Sequence, residues 1–475
     1  MTMSQQSGPS TGRVPLADQI ESAYDRIGVT GAHKHVVLMI LLGVFFDALE
    51  QNAVGITGPV LQEQWGIGGA EIGFLNTMTF TATALGRVAT GLIVDKFGRR
   101  NMLLINLIIF AGGSLLCALA PNYAVLAIGR FIVGFGLGGE IAVAVIMMAE
   151  YFSAKHRGPA VGLINITAAG LGNMLAPAFG ILVFALFPGD DQWRWVFALL
   201  FLPALMVLWF RRNVPETPRY LAANGRVHEA NIVINRFARG QLRGPIEAPE
   251  QFLTEPTVGG MPLPLEPSRR GLWKMVFNRK YLLRTLFLVI AVGMSYAAQI
   301  SMLTLMPFIL VSTGYELNQS LWFTLIMQSG SLLGAVSASY LASKLPRKKV
   351  TTMAATLGCA SGLCIAFLGS DIVFVLIFGA LFNFAIIVQN TTIWLFAPEL
   401  YPTRVRGFGT SIILAAGSLS GGLFPLVAGA VFDSHGLIGM FSVLAGLFVI
   451  IAVAIQFPPE TFGKPMEEED LADVV

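Results

Sequence analysis

The chain has 475 residues, of which 55% are hydrophobic and 12% charged, with a formal net charge of +3 and a mean hydropathy of +0.69. Soluble proteins carry about twice that charged fraction, so the composition excludes an ordinary soluble protein and favours apolar runs that cross a hydrocarbon core at ~20 residues each. The small basic excess sits in loops and forms no compact patch with interleaved aromatics, so it implies no nucleic-acid partner.

The N-terminal stretch Met1 to Thr30 is polar and rich in Ser, Gly and Gln. It has neither the apolar core nor the cleavage site of a secretory leader, and residues 1–34 read as a tail. Hydropathy and Pro/Gly breaks then predict about twelve spans, near 35–60, 70–94, 101–119, 122–150, 159–187, 193–212, 281–311, 318–343, 349–369, 371–399, 407–432 and 437–457. Residues 213–280 form a linker between spans six and seven. Helical character is expected from Pro218 to Phe237, and a disordered Pro-rich piece from Gly244 to Pro267. Residues 458–475 are a second tail. Cys117, Cys359 and Cys364 lie in apolar runs without metal-ligand spacing and read as buried thiols.

Lys and Arg mark one face. Lys96, Arg99 and Arg100, then Lys155 and Arg157, then Lys344 to Lys349, then Arg404 and Arg406 occupy one set of junctions, and the alternate junctions nearly lack them. The positive-inside rule puts both termini in the cytoplasm.

The halves repeat at an offset of about 248. Gly91 to Arg100 falls on Ser339 to Lys348, Glu150 with Arg157-Gly158 on Glu399 with Arg406-Gly407, and Pro59 on Pro307. Order and sense are the same, so the expected fold is an all-α membrane protein with twelve transmembrane helices in two parallel-repeat six-helix bundles, 35–212 and 281–457. Such duplications place a substrate site between the halves near the midplane.

These residues carry a resemblance. Gly91-x-x-x-Asp95-Lys96-x-Gly98-Arg99-Arg100 resembles the loop signature of the major facilitator superfamily, and Arg130 to Gly138 resembles its fourth-helix motif. The two Glu…Arg-Gly elements, Pro215-Glu216-Thr217 and Pro459-Glu460-Thr461 resemble the branch of sugar porters and organic-ion and metabolite symporters. Asp47, Gly55 and Pro59 keep the first-helix spacing of the metabolite:proton symporters, including those for aromatic acids. Their pattern Asp-Gly-Tyr-Asp is here Asp47-Ala48-Leu49-Glu50. The resemblance implies alternating access. It also implies a conformational clasp at Gly91, Asp95, Arg99, Arg100, Glu150, Arg157, Glu399 and Arg406, in which Glu150 works with Arg157 and Glu399 with Arg406.

Asp47 and Glu50 stand at i, i+3 on one face of an otherwise apolar run. A charge there costs roughly 2.5–3.5 kcal/mol on insertion scales, so intramembrane ionisable groups read as functional by default. Two carboxylates in a low dielectric resist joint ionisation, which suits a group that loads and releases protons. Arg130 and Glu140 in span four and Arg87 in span two reach similar depth, and a cluster of all five is expected, three acids to two bases. Arg130 joins Asp47, Glu50 and Glu140 in the proton-coupling set. The alternative is a static ion network that fixes helix packing.

In the second half the acids become neutral: Asp47 corresponds to Ser295, Gln51 to Gln299 and Glu140 to Gln389. The N-terminal half therefore reads as the coupling half. The candidates for substrate binding are Arg87, Gln51, Tyr296, Gln299, Gln328, Asn383, Gln389, Asn390 and Trp394, with Asn165 and Asn173 weaker. Tyr296 and Trp394 can stack on a ring, and the amides can hydrogen-bond hydroxyl or carboxylate groups. Each alone is equally a helix–helix hydrogen bond.

The expected function is secondary active transport of a small metabolite, an organic acid with aromatic acids included, coupled to protons. A sugar or polyol symporter, a proton-driven exporter and a non-transporting sensor are the alternatives. No phosphate-binding loop is present, and no nucleophile–base set or metal cluster lies at membrane depth, so an enzyme, a cofactor and a metal are not expected. The expected partners are substrate, protons and the lipid bilayer, in a monomer of the plasma (inner) membrane.

Overall fold

The structure, a computed structural model, describes residues 16–202, 209, 213–246, 249–254, 276, 278–401 and 403–462. Regular structure among these residues is helical throughout. Helix α1 (Leu16–Ile27) precedes the long apolar α2 (Gly31–Trp65), α3 (Gly69–Phe97), α4 (Arg99–Ala118) and α5 (Tyr123–Tyr151). The next span is composite: α6 (Ala154–Asn165), a π-helical turn over Ile166–Gly172, and α7 (Asn173–Leu186). Helix α8 (Gln192–Leu199) opens the expected sixth span, most of whose remainder lies outside the described residues.

The linker carries α9 (Pro218–Ala223) and α10 (Val227–Ala238). Then come α11 (Arg279–Ser312), α12 (Leu317–Lys344), α13 (Arg347–Leu368), α14 (Ile372–Glu399) and α15 (Thr403–Ala454). Ten helical stretches among the described residues are long and apolar enough to cross a membrane.

Local sequence explains the boundaries. Asn122 caps α5 by accepting from the Val125 amide at 3.0 Å, and Asp371 caps α14 by accepting from Val373 at 2.9 Å. Gly66 ends α2 in the left-handed region, φ 64°, with its amide returning to Gln62. The 52 residues of α15 would extend roughly 78 Å as one straight helix, far more than a ~30 Å hydrocarbon core. Gly436, at φ 63° and ψ −157°, divides it into two arms.

Small residues set the closest approaches. A Cβ at Gly134 or Gly138 would run into the carbonyl oxygens of Thr79 or Thr83, so the glycines of the fourth-helix motif bring α5 against α3. The same device joins two groups of helices, those before the linker (α2–α8) and those after it (α11–α15). Gly55 of α2 lies against the Leu303 carbonyl of α11. Gly73 of α3 lies against Pro425 of α15, where an added Cβ would come within 2.6 Å of the Pro425 carbonyl carbon. At the end of this seam Asp433 accepts hydrogen bonds from the Gly69 and Ala70 amides, both 3.1 Å, capping α3 from the opposite group.

The structure adds to one expectation and corrects another. The N-terminal stretch carries the amphipathic helix α1, whose Tyr24 is buried edge-on against His33 and Phe237, with ring centroids 5.6 and 5.9 Å away. The segment after Gly244 is also structured where it is described. Asn235 brackets Glu250 through its amide and carbonyl (2.9 and 2.8 Å), Asn231 does the same for Leu253 (2.9 and 3.1 Å), and Leu253 is fully buried. The polar composition of 249–254 concealed backbone groups satisfied by two asparagine side chains on α10. Residues 255–267 lie outside the described residues.

Candidate functional site

Between the two groups of helices lies a cavity of about 110 Å³. Its wall on one side comes from α2, α3, α5 and the composite span, and on the other from α11 and α14. The π-helical turn contributes Ala168 and Ala169 and is followed at once by Asn173. Such widened turns recur at functional sites.

Arg87 supplies the cation of this lining. Its Nη1 donates to Ser418 Oγ at 2.8 Å and to the Leu414 carbonyl at 3.4 Å, both on α15. The guanidinium therefore meets neutral acceptors and no carboxylate among the described residues. Opposite it stands a polar and aromatic wall. Trp394 Nε1 donates to Tyr296 Oη at 3.1 Å. Asn390 Nδ2 donates to Gln299 Oε1 at 2.6 Å, and Ser295 Oγ donates to Asn390 Oδ1 at 2.5 Å. Asn165 reaches across the cavity to Thr391 Oγ1 at 2.9 Å.

The acids are divided between two arrangements. Glu50 is paired with Arg130, and neither side chain has exposed surface. Ser114 Oγ donates to the other Glu50 oxygen at 3.1 Å, and Arg130 Nε donates to Thr79 Oγ1 at 3.0 Å. The guanidinium also stands 5.7 Å from the Phe197 ring centre. Asp47 is fully buried, and both its carboxylate oxygens lack a hydrogen-bond partner among the described residues, as does Glu140 Oε2. The Asp47 and Glu140 side chains meet each other as two buried acids. Ala48 and Ile141, their immediate chain neighbours, line the cavity. The acid pair thus sits one residue behind the cavity wall.

The expected five-residue cluster is therefore three units: the Glu50–Arg130 ion pair, the Asp47–Glu140 acid pair, and Arg87 facing the cavity. Helical spacing put Asp47 beside Glu50, but the crossing of α2 and α5 gives Glu50 to Arg130 and Asp47 to Glu140. Of the substrate-binding candidates, Arg87, Gln51, Tyr296, Gln299, Asn390 and Trp394 line the cavity, with Asn165 and Asn173. Gln328, Asn383 and Gln389 do not. Gln328 accepts from Ser331, and Asn383 donates to the Gly379 and Met327 carbonyls. Gln389 is buried with its amide atoms unpartnered among the described residues. Sequence reasoning missed Phe80, Thr83 and Thr391 in the lining and Ser418 behind Arg87. Small hydroxyl residues in apolar helices produce no hydropathy anomaly, so nothing local marked them.

The basic loop after α3 is organised by acids from elsewhere. Glu216 accepts from the Arg99 and Arg100 amides (3.0 and 3.2 Å) at the start of α4. Arg99 pairs with Glu150 at 3.1 Å, and Thr217 Oγ1 donates to Glu150 at 2.5 Å. The arrangement recurs in the second half. Glu460 accepts from the Arg347 and Lys348 amides at 3.1 and 3.0 Å, Arg347 pairs with Glu399 at 2.9 Å, and Thr461 donates to Glu399 at 2.5 Å. Glu150 thus pairs with Arg99 and not with Arg157, whose guanidinium reaches the Ala149 carbonyl and Glu21. Glu399 pairs with Arg347. Gly91 has open space beside it, and the side chains of Asp95 and Arg406 lie outside the description.

Burial raises Glu216 above the usual carboxylate range, against its amide hydrogen bonds. At Glu460 burial acts the same way, but amide donors from Lys348, Phe462, Arg347 and Thr461 outweigh it and lower the carboxyl.

A family model described as Major Facilitator Superfamily matches residues 40–425. The chain is 30% identical over 452 residues to the niacin transporter NiaP of Acinetobacter baylyi, covering 94% of this chain and 98% of that one. It is 28% identical to a probable 4-methylmuconolactone transporter of Cupriavidus pinatubonensis, covering 91% of each. It is 24% identical to the 4-hydroxybenzoate transporter PcaK of A. baylyi, covering 88% of each. Among solved structures, a D-xylose-proton symporter superposes with a TM-score of 0.69 at 19% identity, covering 90% of this chain and 98% of that one. At that identity the likeness is one of fold.

Proposed function

The chain belongs to the major facilitator superfamily, and from that premise we propose that it is a secondary active transporter moving a small organic acid across the membrane together with protons. It is a membrane transporter and not an enzyme. The observation that carries the substrate reading is the cavity itself. Among the described residues it offers one cation, Arg87, held by neutral acceptors, against a wall of Tyr296, Trp394 and amides. A carboxylate neutralises that cation through charge-assisted hydrogen bonds, and the rings and apolar lining suit an aromatic body. Relatives whose names specify niacin and 4-hydroxybenzoate support this choice over a sugar.

The coupling reading rests on Asp47 and Glu140. Three buried carboxylate oxygens share no donor among the described residues. One bound proton turns an acceptor into a donor and leaves a single charge instead of two. Glu50 and Arg130 already balance each other, so they are assigned to hold α2 and α5 in the geometry that forms the acid pair.

The remaining assignments follow the repeat. Twelve crossings are counted by taking α15 as two arms and completing the span that α8 opens. They fall into six-helix halves, 35–212 and 281–457, around a 213–280 linker. The recurrence of Arg99–Glu150–Thr217 as Arg347–Glu399–Thr461 supports the duplication. Both termini (1–34 and 458–475) are placed in the cytoplasm, the protein in the plasma (inner) membrane, and the working unit is a monomer.

Reconstitution in liposomes with an internal pH dye tests the proposal. Nicotinate, benzoate and 4-hydroxybenzoate are expected to acidify the lumen, and sugars and amines are not. Acidification by sugars alone would move the assignment to a polyol symporter. Binding without flux would remove transport.

A further inference from the structure

Arg87 is a residue of α3, yet its orientation is set from α15. Both of its hydrogen bonds leave from Nη1, to Ser418 Oγ and the Leu414 carbonyl. Its Nε and Nη2 have no hydrogen-bond partner among the described residues. These two nitrogens form one edge of the planar guanidinium, the edge that takes a carboxylate side-on through two parallel bonds. Ser418 is 1% exposed and its own position is fixed by a bond to Leu414 O at 3.2 Å. The α3–α15 seam runs from Asp433 over the Gly69 and Ala70 amides, through Thr77 Oγ1 on the Gly422 carbonyl at 2.7 Å, to Arg87 on Ser418.

We propose that Ser418 is the positioning residue for carboxylate recognition: it grips one side of Arg87 and turns the free guanidinium edge to the substrate. This rests on the organic-acid reading of the cavity. The anion site is then assembled from both halves, the charge coming from α3 and its aim from α15. When the halves part along this seam, Arg87 loses its second anchor and becomes a long side chain with free rotamers. A flexible fork loses more freedom on binding an anion than one already held, so affinity for the carboxylate falls as the seam opens.

The test uses the full chain in proteoliposomes. Nicotinate uptake is measured, with inhibition by benzoate and 4-hydroxybenzoate and by their carboxamides. Ser418→Ala is expected to raise the nicotinate KM about 10-fold, the scale of a hydrogen bond to a charged group, with Vmax within about twofold. Inhibition by the two carboxylates weakens in parallel, and inhibition by the carboxamides stays unchanged. Ser418→Thr, which keeps the hydroxyl, is expected to retain the wild-type KM. In an Arg87→Gln background, equilibrium binding of nicotinate is expected to be insensitive to Ser418→Ala.

An equal shift for carboxylates and carboxamides, an unchanged KM, or a full Ser418→Ala effect in the Arg87→Gln background would each overturn the positioning role while leaving proton-coupled transport standing. If the unmodified protein takes up none of these carboxylates with protons, the functional reading fails first, and that outcome is separately visible.

Discussion

Glu50 and Arg130 form an ion pair with no exposed surface on either side chain, and Ser114 and Thr79 complete their hydrogen bonds. Removing one member leaves the other as an uncompensated buried charge, a loss of about 3–5 kcal/mol. Glu50→Gln and Arg130→Met are each expected to lower the Tm in detergent and the yield of monodisperse protein. The double variant is expected to be less destabilised than the sum of the singles. Strict additivity in that cycle would show that the two side chains do not depend on each other.

Asp47 and Glu140 are expected to behave differently from that pair. Asp47→Asn keeps the shape and removes the ionisable group. Gradient-driven accumulation should fall to the level of passive equilibration, while substrate exchange in counterflow persists. Glu140→Gln should show the same separation, because the proton is shared. Wild-type accumulation in Asp47→Asn would remove it from the coupling mechanism.

The seam between Gly73 and Pro425 offers a structural test of alternating access. A Cβ at Gly73 would come within 2.7 Å of Leu426 Cα, so Gly73→Val prevents closure at that end. Thr304 is 1% exposed and accepts from Asn76, which lies three residues beyond Gly73 on the same helix. With the native cysteines replaced by serine, Thr304→Cys is expected to react at least about 10-fold faster with an impermeant thiol reagent when Gly73→Val is present. Equal rates would show that the seam does not gate access.

The two capping glutamates should give stability slopes of opposite sign. Glu460 is lowered on folding, so its contribution is present above its unfolded pKa of about 4.5 and is lost as pH falls through the lower folded value. Glu216 is raised on folding, so between 4.5 and its folded value the native state holds more protons and stability falls as pH rises. Thermal unfolding of Glu460→Gln between pH 3.5 and 6 is expected to lose part of the acid-side decline. Glu216→Gln is expected to lose a slope of the opposite direction. Identical changes in both variants would contradict the different balance of burial and amide donors at the two caps.

The linker and N-terminal helix show where composition misled. The stretch from Gly244 to Pro267 reads as disordered from its composition, yet Asn231 and Asn235 hold residues 249–254 against α10 by satisfying backbone groups. Tyr24 read as part of a tail, yet it packs with His33 and Phe237. Such docking depends on surfaces that meet only when distant segments come together.

The sequence by itself determined the membrane class, the apolar helical character of the chain, and the presence of Asp47, Glu50, Arg87, Arg130 and Glu140 inside apolar runs. Those properties are local: a run of apolar residues or a charge inside one is visible without knowing its neighbours. Tertiary structure alone decided which charges meet. Glu50 goes to Arg130 and Asp47 to Glu140, Arg99 takes Glu150 in place of Arg157, and Gln328 and Asn383 turn away from the cavity while Ser418 reaches Arg87. A helix can be rotated and tilted against its partner without changing its hydropathy. The pairing of side chains is therefore fixed by close approaches such as Gly134 on Thr79 and Gly73 on Pro425, which join residues far apart in the chain.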